Sequence, residues 1–308
     1  MTGGAGFIGS HTVDLFVQTG MRVSVVDNLC SGHREYVHPA AEFFPVDITG
    51  ARLATVFRRV QPDYVVHLAA QPSVPASLKN PVRDAETNAV GTLNVLECCV
   101  DQVRRGGPRP KVIVAGSAAI YGEPRYLPVD EEHPRQPQTF YGLHKAAIID
   151  YLRLYRRHHR LPYAALVYAN VFGPRQSPSG VISRFIAAAL SGSRPLVYGD
   201  GRQTRDFVFV GDVARANYAA LFKADGEVVN VGTGVEVPIA ALCEVIAGIT
   251  GHPLRPVHAP PRPGDIERSV LSTRKALLIL NWRARVPLAE GIRLMLDEET
   301  RQAAQVAN

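Results

Sequence analysis

Residues 2–9 read Thr2-Gly3-Gly4-Ala5-Gly6-Phe7-Ile8-Gly9, and a later apolar run, Arg22-Val23-Ser24-Val25-Val26, ends on Asp27. A glycine turn by itself can join any strand to any helix. The acidic residue about 20 positions further on is what gives this one a ligand. Gly3 supplies a positive-φ bend, Gly6 lets backbone approach a pyrophosphate, and Gly9 lets the following helix pack closely. Phe7 and Ile8 complete the cofactor-binding turn, and the N-terminus of that helix faces the anion. Asp27 can accept both ribose hydroxyls of NAD. It would repel the 2′-phosphate of NADP, and Asn28 beside it adds no compensating positive charge. The stretch predicts a doubly wound, Rossmann-type sheet that takes NAD.

Only Met1 and Thr2 precede the turn, where a buried parallel strand of roughly five apolar residues belongs. The sequence therefore predicts a truncated first strand and a defective sheet centre. It also raises the expectation that the native chain begins several residues earlier, which a stop codon in frame immediately before Met1 would rule out.

With 308 residues, 46% apolar and 20% charged, the chain has the composition of a globular protein of one large or two interlocked domains. No apolar run approaches the ~18 residues of a membrane span, and no basic-then-apolar leader is present, so a cytoplasmic location is expected. Cys30, Cys98, Cys99 and Cys243 lack metal-type spacing. They read as buried thiols in a reducing compartment, with no metal site. A net charge of +6 suits an anionic small molecule. The basic residues are scattered, without the stripe and interleaved aromatics that a nucleic acid would need.

Strand-like runs at 23–26, 42–46, 64–68, 111–115 and 163–168 alternate with helix-like stretches at 11–19, 51–60, 82–103 and 141–159. That alternation means a mostly parallel sheet with helices on both faces. Further strands are expected at 207–210 and 228–231. The cofactor half is assigned to 1–169, with strands returning around 205–232, and the substrate half mainly to 170–308. Proline- and glycine-rich spacers at 173–180 and 259–264 read as ligand-covering segments.

Tyr141 and Lys145 stand four apart in a helical stretch, so both side chains share one face. An ammonium beside a phenol favours the phenolate. Such a tyrosine can take a hydroxyl proton while hydride leaves the same carbon for NAD. Ser117 follows directly on the strand at 111–115, at the carboxyl edge where ligands of α/β sheets bind, and can share the substrate's hydrogen bond. An exposed helix-surface pair and a simple turn serine are the plain alternatives.

In order, the residues from Thr2 to Gly9, Asp27-Asn28-Leu29, Asp47-Ile48, His67-Leu68-Ala69-Ala70, Ser117 with Tyr121-Gly122, and Tyr141-Gly-Leu-His-Lys145 resemble the extended short-chain dehydrogenase/reductase family. The likeness runs over essentially the whole chain. Within the family it is greatest to the NAD-dependent epimerases and dehydratases, and among these to the UDP-glucose 4-epimerases. The resemblance implies that Asp47 and Ile48 flank the adenine, that Leu68, Ala69, Ala70 and Asn88 line the cofactor cleft, and that Tyr168 sits beside the nicotinamide. Tyr141 and Lys145 touch the cofactor as well as serving catalysis with Ser117. It further implies a homodimer through the helices at 82–103 and 141–159.

For a UDP-sugar substrate the resemblance assigns Asn170 to the sugar diphosphate, Arg205 and Arg262 to a pyrophosphate clamp, Asp265 to the ribose and Ser269 to the sugar pocket. Guanidinium forks suit phosphate oxygens. Related dehydratases place an Asp-Glu pair where this chain has Ala118 and Ala119, which cannot move protons, so elimination of water is disfavoured. There remains transient oxidation at C4 to a ketone and return of hydride to the other face. Two departures stand out: Pro72 replaces a cofactor-contacting lysine, and Ser269 replaces a bulky tyrosine, leaving room for an N-acetyl group. UDP-glucuronate epimerisation or decarboxylation stays open, because residues near C6 carry no readable motif. A non-catalytic NAD-binding regulator is the reading from another class. Intact Ser117, Tyr141 and Lys145 speak against it.

Overall fold

The computed structural model describes residues 1–261 and 266–307. Its elements run α1 (Phe7–Gln18), β1 (Ser24–Asp27), β2 (Glu42–Pro45), α2 (Arg52–Val60), β3 (Tyr64–His67), α3 (Val74–Lys79), α4 (Pro81–Ala85), α5 (Gly91–Arg104), β4 (Lys111–Ser117), α6 (Phe140–His159) and β5 (Tyr163–Tyr168). Then come β6 (Asn170–Phe172), α7 (Val181–Ser191), β7 (Leu196–Tyr198), β8 (Thr204–Arg205), β9 (Phe207–Phe209), α8 (Val210–Phe222), β10 (Glu227–Val231), β11 (Val237–Pro238), α9 (Ile239–Thr250), β12 (Val257–Ala259) and α10 (Leu288–Ala307). A π turn, Glu86–Val90, links α4 to α5 within the single helix expected there. The first helix starts at Phe7, not near 11, because Gly6 is its N-cap and the glycines mask the apolar period.

β10-β5-β4-β3 form one parallel sheet, and β1-β2 pair in parallel beyond it. Residues 1–2 join the two. Thr2 bridges Val26 on one side and His67 on the other, both in parallel. The Thr2 N–H donates to the Val66 carbonyl at 3.0 Å and the Val26 N–H to Met1 O at 2.8 Å. The central strand is thus reduced to a two-residue bridge. α1 and α8 cover one face with Val13, Phe16, Val213 and Ala216. α2, α5 and α6 cover the other with Leu53, Val56, Leu96, Ile149 and Leu152. A third core, built from Phe185, Ile186, Leu242, Ile246 and Ile292, holds α7, α9 and α10 together. The cysteine expectation needs correction: Cys99 and Cys243 are buried, but Cys98 is half-buried and Cys30, in the loop after β1, is exposed.

His67 closes the gap beneath the short centre. The Thr92 hydroxyl donates to Asn88 O at 2.6 Å, so its oxygen must accept from His67 Nε2–H at 2.9 Å. Nδ1 then accepts from the Thr2 hydroxyl at 2.7 Å. Burial, with the charges of Lys145 and the chain's α-amine, pushes this imidazole down to about 3 from 6.5. The folded protein refuses a proton that the unfolded chain binds below 6.5. Stability from this group is therefore full above pH 6.5 and is lost as pH falls toward 3. Urea midpoints between pH 4 and 7 should rise with pH, and His67→Gln should flatten that slope. An unchanged slope in the variant would remove His67 from the account.

Candidate active site

The glycine turn is built by close backbone approach. Gly3 has φ +70, and a Cβ there would lie 2.5 Å from Ala69 N. A Cβ at Gly9 would lie 1.9 Å from the Gly3 carbonyl oxygen, so Gly9 serves the turn itself more than helix-to-sheet packing. Both carboxylate oxygens of Asp27 already hold backbone: the Ala5 N–H donates to Oδ2 at 3.0 Å and the Leu29 N–H to Oδ1 at 2.9 Å. Asp27 therefore ties the turn to the end of β1, a duty that spacing alone did not reveal. Burial is the largest single influence on the Asp47 carboxyl and raises it, but the Thr49 N–H and hydroxyl and the Asn28 amide, which donates at 2.7 Å, together outweigh it and hold the group below its usual range. Ile48 is buried beneath Gly91. Leu68, Ala69 and Ala70 follow β3 and are half-exposed beside Gly3.

Ser117 ends β4 and faces Tyr168 in register on β5. Its oxygen caps the short turn Ala118–Ile120 by accepting from the Ala119 N–H at 3.3 Å. The Thr139 side chain caps α6, accepting from the Gly142 N–H at 3.1 Å. Gly142 is required by contact: a Cβ there would stand 2.5 Å from the Ala119 carbonyl oxygen. That close seating of α6 sets the Tyr141 phenol near enough to Ser117 for the hydroxyl to favour its ionised form. Lys145, one turn on, is buried, donates to Ala115 O at 2.9 Å and lies 5.9 Å from the centre of the Tyr141 ring. Burial raises the phenol above its ordinary range while the Ser117 hydrogen bond lowers it; burial brings the ammonium down to about 8.

Other expected residues lie apart from this pair. The Tyr168 hydroxyl donates to Asn217 at 2.7 Å, within the α1–α8 layer. Asn88 is buried, gripping Gln71 O and Asp84. Asn170 and Arg205 are brought together because β6 pairs with β9, Asn170 standing opposite Phe207. Arg205 donates to the carbonyls of Thr204 and Ile266, both at 2.7 Å. The next residue, Asp206, is buried and accepts from Thr233 N, Thr233 Oγ1, Gly234 N and Leu271 N, which fixes the guanidinium's base. Arg262 and Asp265 lie outside the described residues. Ser269 is half-buried on the segment that leads from them. Two groups escaped the sequence reading: Asp84, four before Asn88, and His144, inside the Tyr141–Lys145 pair and 2.6 Å from Asp84. Their spacing on helices was the available signal.

A glycine turn closed on its own backbone at Gly3 and Gly9, an acid at the end of β1 and a tyrosine–lysine pair at the sheet's carboxyl edge define a dinucleotide-dependent enzyme of the short-chain dehydrogenase/reductase class. The family model described as "NAD dependent epimerase/dehydratase family" matches residues 1–232. The chain belongs to that family. A UDP-glucose 4-epimerase of Mycolicibacterium smegmatis is 40% identical over 301 residues, covering 95% of each chain. The solved UDP-glucose 4-epimerase of Thermotoga maritima, with UDP-glucose, superposes with a TM-score of 0.94 at 40% identity over 98% of both chains. That of Thermus thermophilus, in complex with NAD, gives 0.91 at 40% identity over 96% of this chain and 97% of the other. The cofactor is NAD. The fit is physical too: with Gly3 and Gly9 closing the turn on its own backbone, the side of Gly6, where an added Cβ would meet only Gly3 O at 3.4 Å, is open to a pyrophosphate at the start of α1.

Proposed function

We propose that the chain interconverts UDP-glucose and UDP-galactose by inverting C4. The observation that carries this is the Tyr141 phenol, on one helix face with Lys145 and within reach of Ser117, followed by two alanines where elimination would need an acid and a base. Bound NAD supplies a hydride acceptor that returns the hydride to the same carbon. Tyr141 takes the O4 proton as the C4–H bond is lost, and gives it back when hydride returns to the other face of the ketone. Ser117 donates a hydrogen bond to O4. The Lys145 charge favours the phenolate. Asn170, Arg205 and Arg262 hold the diphosphate and Asp265 the ribose while the keto sugar turns. In this reading residues 1–169 carry the cofactor and 170–308 mainly the UDP-sugar.

Incubation with UDP-galactose and no added cofactor should yield UDP-glucose, identified by nucleotide chromatography and NMR of the anomeric proton. Failure of the folded, NAD-supplemented protein to convert it overturns the assignment. In the same assay Ser269 supports acceptance of UDP-N-acetylglucosamine. Complete rejection by active enzyme would end the roomy-pocket reading.

The helices expected to pair two copies leave Val82, Val90, Leu143 and Leu154 exposed, Val82 at 66% and Leu143 at 51%. Those residues support a homodimer. Light scattering should give twice the chain mass, and L143E combined with L154E should halve it. A wild-type monomer at micromolar concentration would sink the dimer.

A further inference from the structure

Asp84 on α4 is 1% exposed, and among the described residues no guanidinium or ammonium group is in ion-pair contact with it. Three side chains hold its carboxylate. Gln71 Nε2 and Asn88 Nδ2 donate to Oδ1 at 2.7 and 3.0 Å, and His144 Nδ1 lies 2.6 Å from Oδ2. A buried carboxylate held by two amides and an imidazole, with no lysine or arginine among the described residues in contact, is costly, so its site is informative. Gln71 follows the loop that packs on the glycine turn, and Asn88 sits in the π turn. His144 lies on the α6 face shared by Tyr141 and Lys145. Four separate segments, the loop after β3, α4, the π turn and α6, thus meet at one carboxylate.

We propose that Asp84 is a positioning residue for the catalytic pair: through His144 it fixes α6 against the cofactor side, and so places a buried carboxylate beside the helix face that carries Tyr141 and Lys145. The inference rests on the epimerase reading for its catalytic consequence, though not for its electrostatics. The groups that bear on Lys145 are Tyr141 on its own helix, Asp84 on α4, the Ala115 carbonyl on β4 and His67 at the end of β3. Of these only Asp84 brings an anionic carboxylate to the ammonium. Burial drives Lys145 downward and Asp84 opposes it. The same charge disfavours the Tyr141 phenolate, so the carboxylate governs both members of the pair.

The chain has five lysines, so 13Cε-lysine NMR resolves the ammonium directly, with Lys145→Arg identifying its signal. Asp84→Asn preserves shape and removes charge. It should move the Lys145 midpoint down by about one pH unit, and the alkaline limb of kcat with it, while KM for UDP-galactose stays put. A variant that loses rate at every pH with an unmoved lysine midpoint overturns the proposal, because that is the mark of packing alone. The wild type supplies a test that needs no variant to fold: a midpoint near 6 or below, the range of a lysine buried without a counter-ion, is equally fatal. For the positioning half, His144→Leu should lower kcat by about tenfold or more, and His144→Asn, which keeps a donor at the δ position, should recover most of that loss. Equal rates in the two variants overturn it. The lysine signals are read without turnover, so a protein inactive on UDP-galactose would fell the epimerase reading and leave the charge-setting result to be judged separately.

Discussion

Tyr141→Phe is expected to lower UDP-galactose turnover by about 10²–10⁴-fold, the range contributed by a positioned general acid–base, while NAD binding stays largely intact. The phenol is the group that exchanges a proton with O4 in the proposed reaction; the ring itself only packs. Removing one oxygen leaves α6 seated, because its start is held by the Thr139 cap and by Gly142 against the Ala119 carbonyl, neither of which involves Tyr141. In the proposed reaction the base would form only with the cofactor bound. Burial holds the Tyr141 phenol above its ordinary range, and one hydrogen bond from Ser117 does not undo that. The remaining push has to come from the positive charges of Lys145 and oxidised nicotinamide. Turnover by single-wavelength coupled assay and NAD affinity by fluorescence quenching separate the two effects. A variant that keeps the wild-type rate removes Tyr141 from the chemistry, and one that loses NAD binding in parallel makes it a packing residue.

The parts of this molecule that obey local rules were legible in the sequence. β5 was expected at 163–168 and lies there, because a strand buried on both faces is a plain apolar run. α6 was off by one residue, since its cap and its period agree. The Tyr141–Lys145 face and the seat of Ser117 at the sheet edge followed from spacing. What escaped depends on contacts between segments far apart in sequence. Nothing near residue 84 says that its carboxylate will be buried against a histidine 60 positions away. Nor does the helical pattern at 82–103 announce a π turn, which adds a residue to the winding at Asn88. Asp27 was legible as an acid at the end of a strand. That both its oxygens would be engaged by the backbone of Ala5 and Leu29 became visible only with the turn folded over it. α7 and α9 take their stability from a core that forms only across the fold, through Phe185, Ile186, Leu242 and Ile246.

The glycine turn allows folding and cofactor binding to be pulled apart. At Gly9 an added methyl would sit 1.9 Å from Gly3 O, 2.8 Å from Gly3 C and 2.9 Å from Gly4 Cα, all backbone. Gly3 cannot retreat, because its own far side is already against Ala69 N. Gly9→Ala must therefore force the turn off the end of the sheet, at a cost of about 3 kcal/mol or more, the upper range for overpacking. Its apo Tm should drop and NAD should no longer restore it. Gly6 differs: the nearest atom to an added methyl is Gly3 O at 3.4 Å, an ordinary contact. Gly6→Ala should leave the apo Tm near wild type, yet the methyl projects where the pyrophosphate is proposed to lie. Ligand stabilisation grows as RT ln(1 + [L]/Kd), so the rise in Tm with added NAD reads the affinity directly. The expected pattern is an apo Tm lost only in Gly9→Ala and an NAD-dependent rise lost in both. A Gly6→Ala protein that gains as much Tm from NAD as the wild type would move the pyrophosphate away from this turn and take the cofactor assignment of the glycines with it.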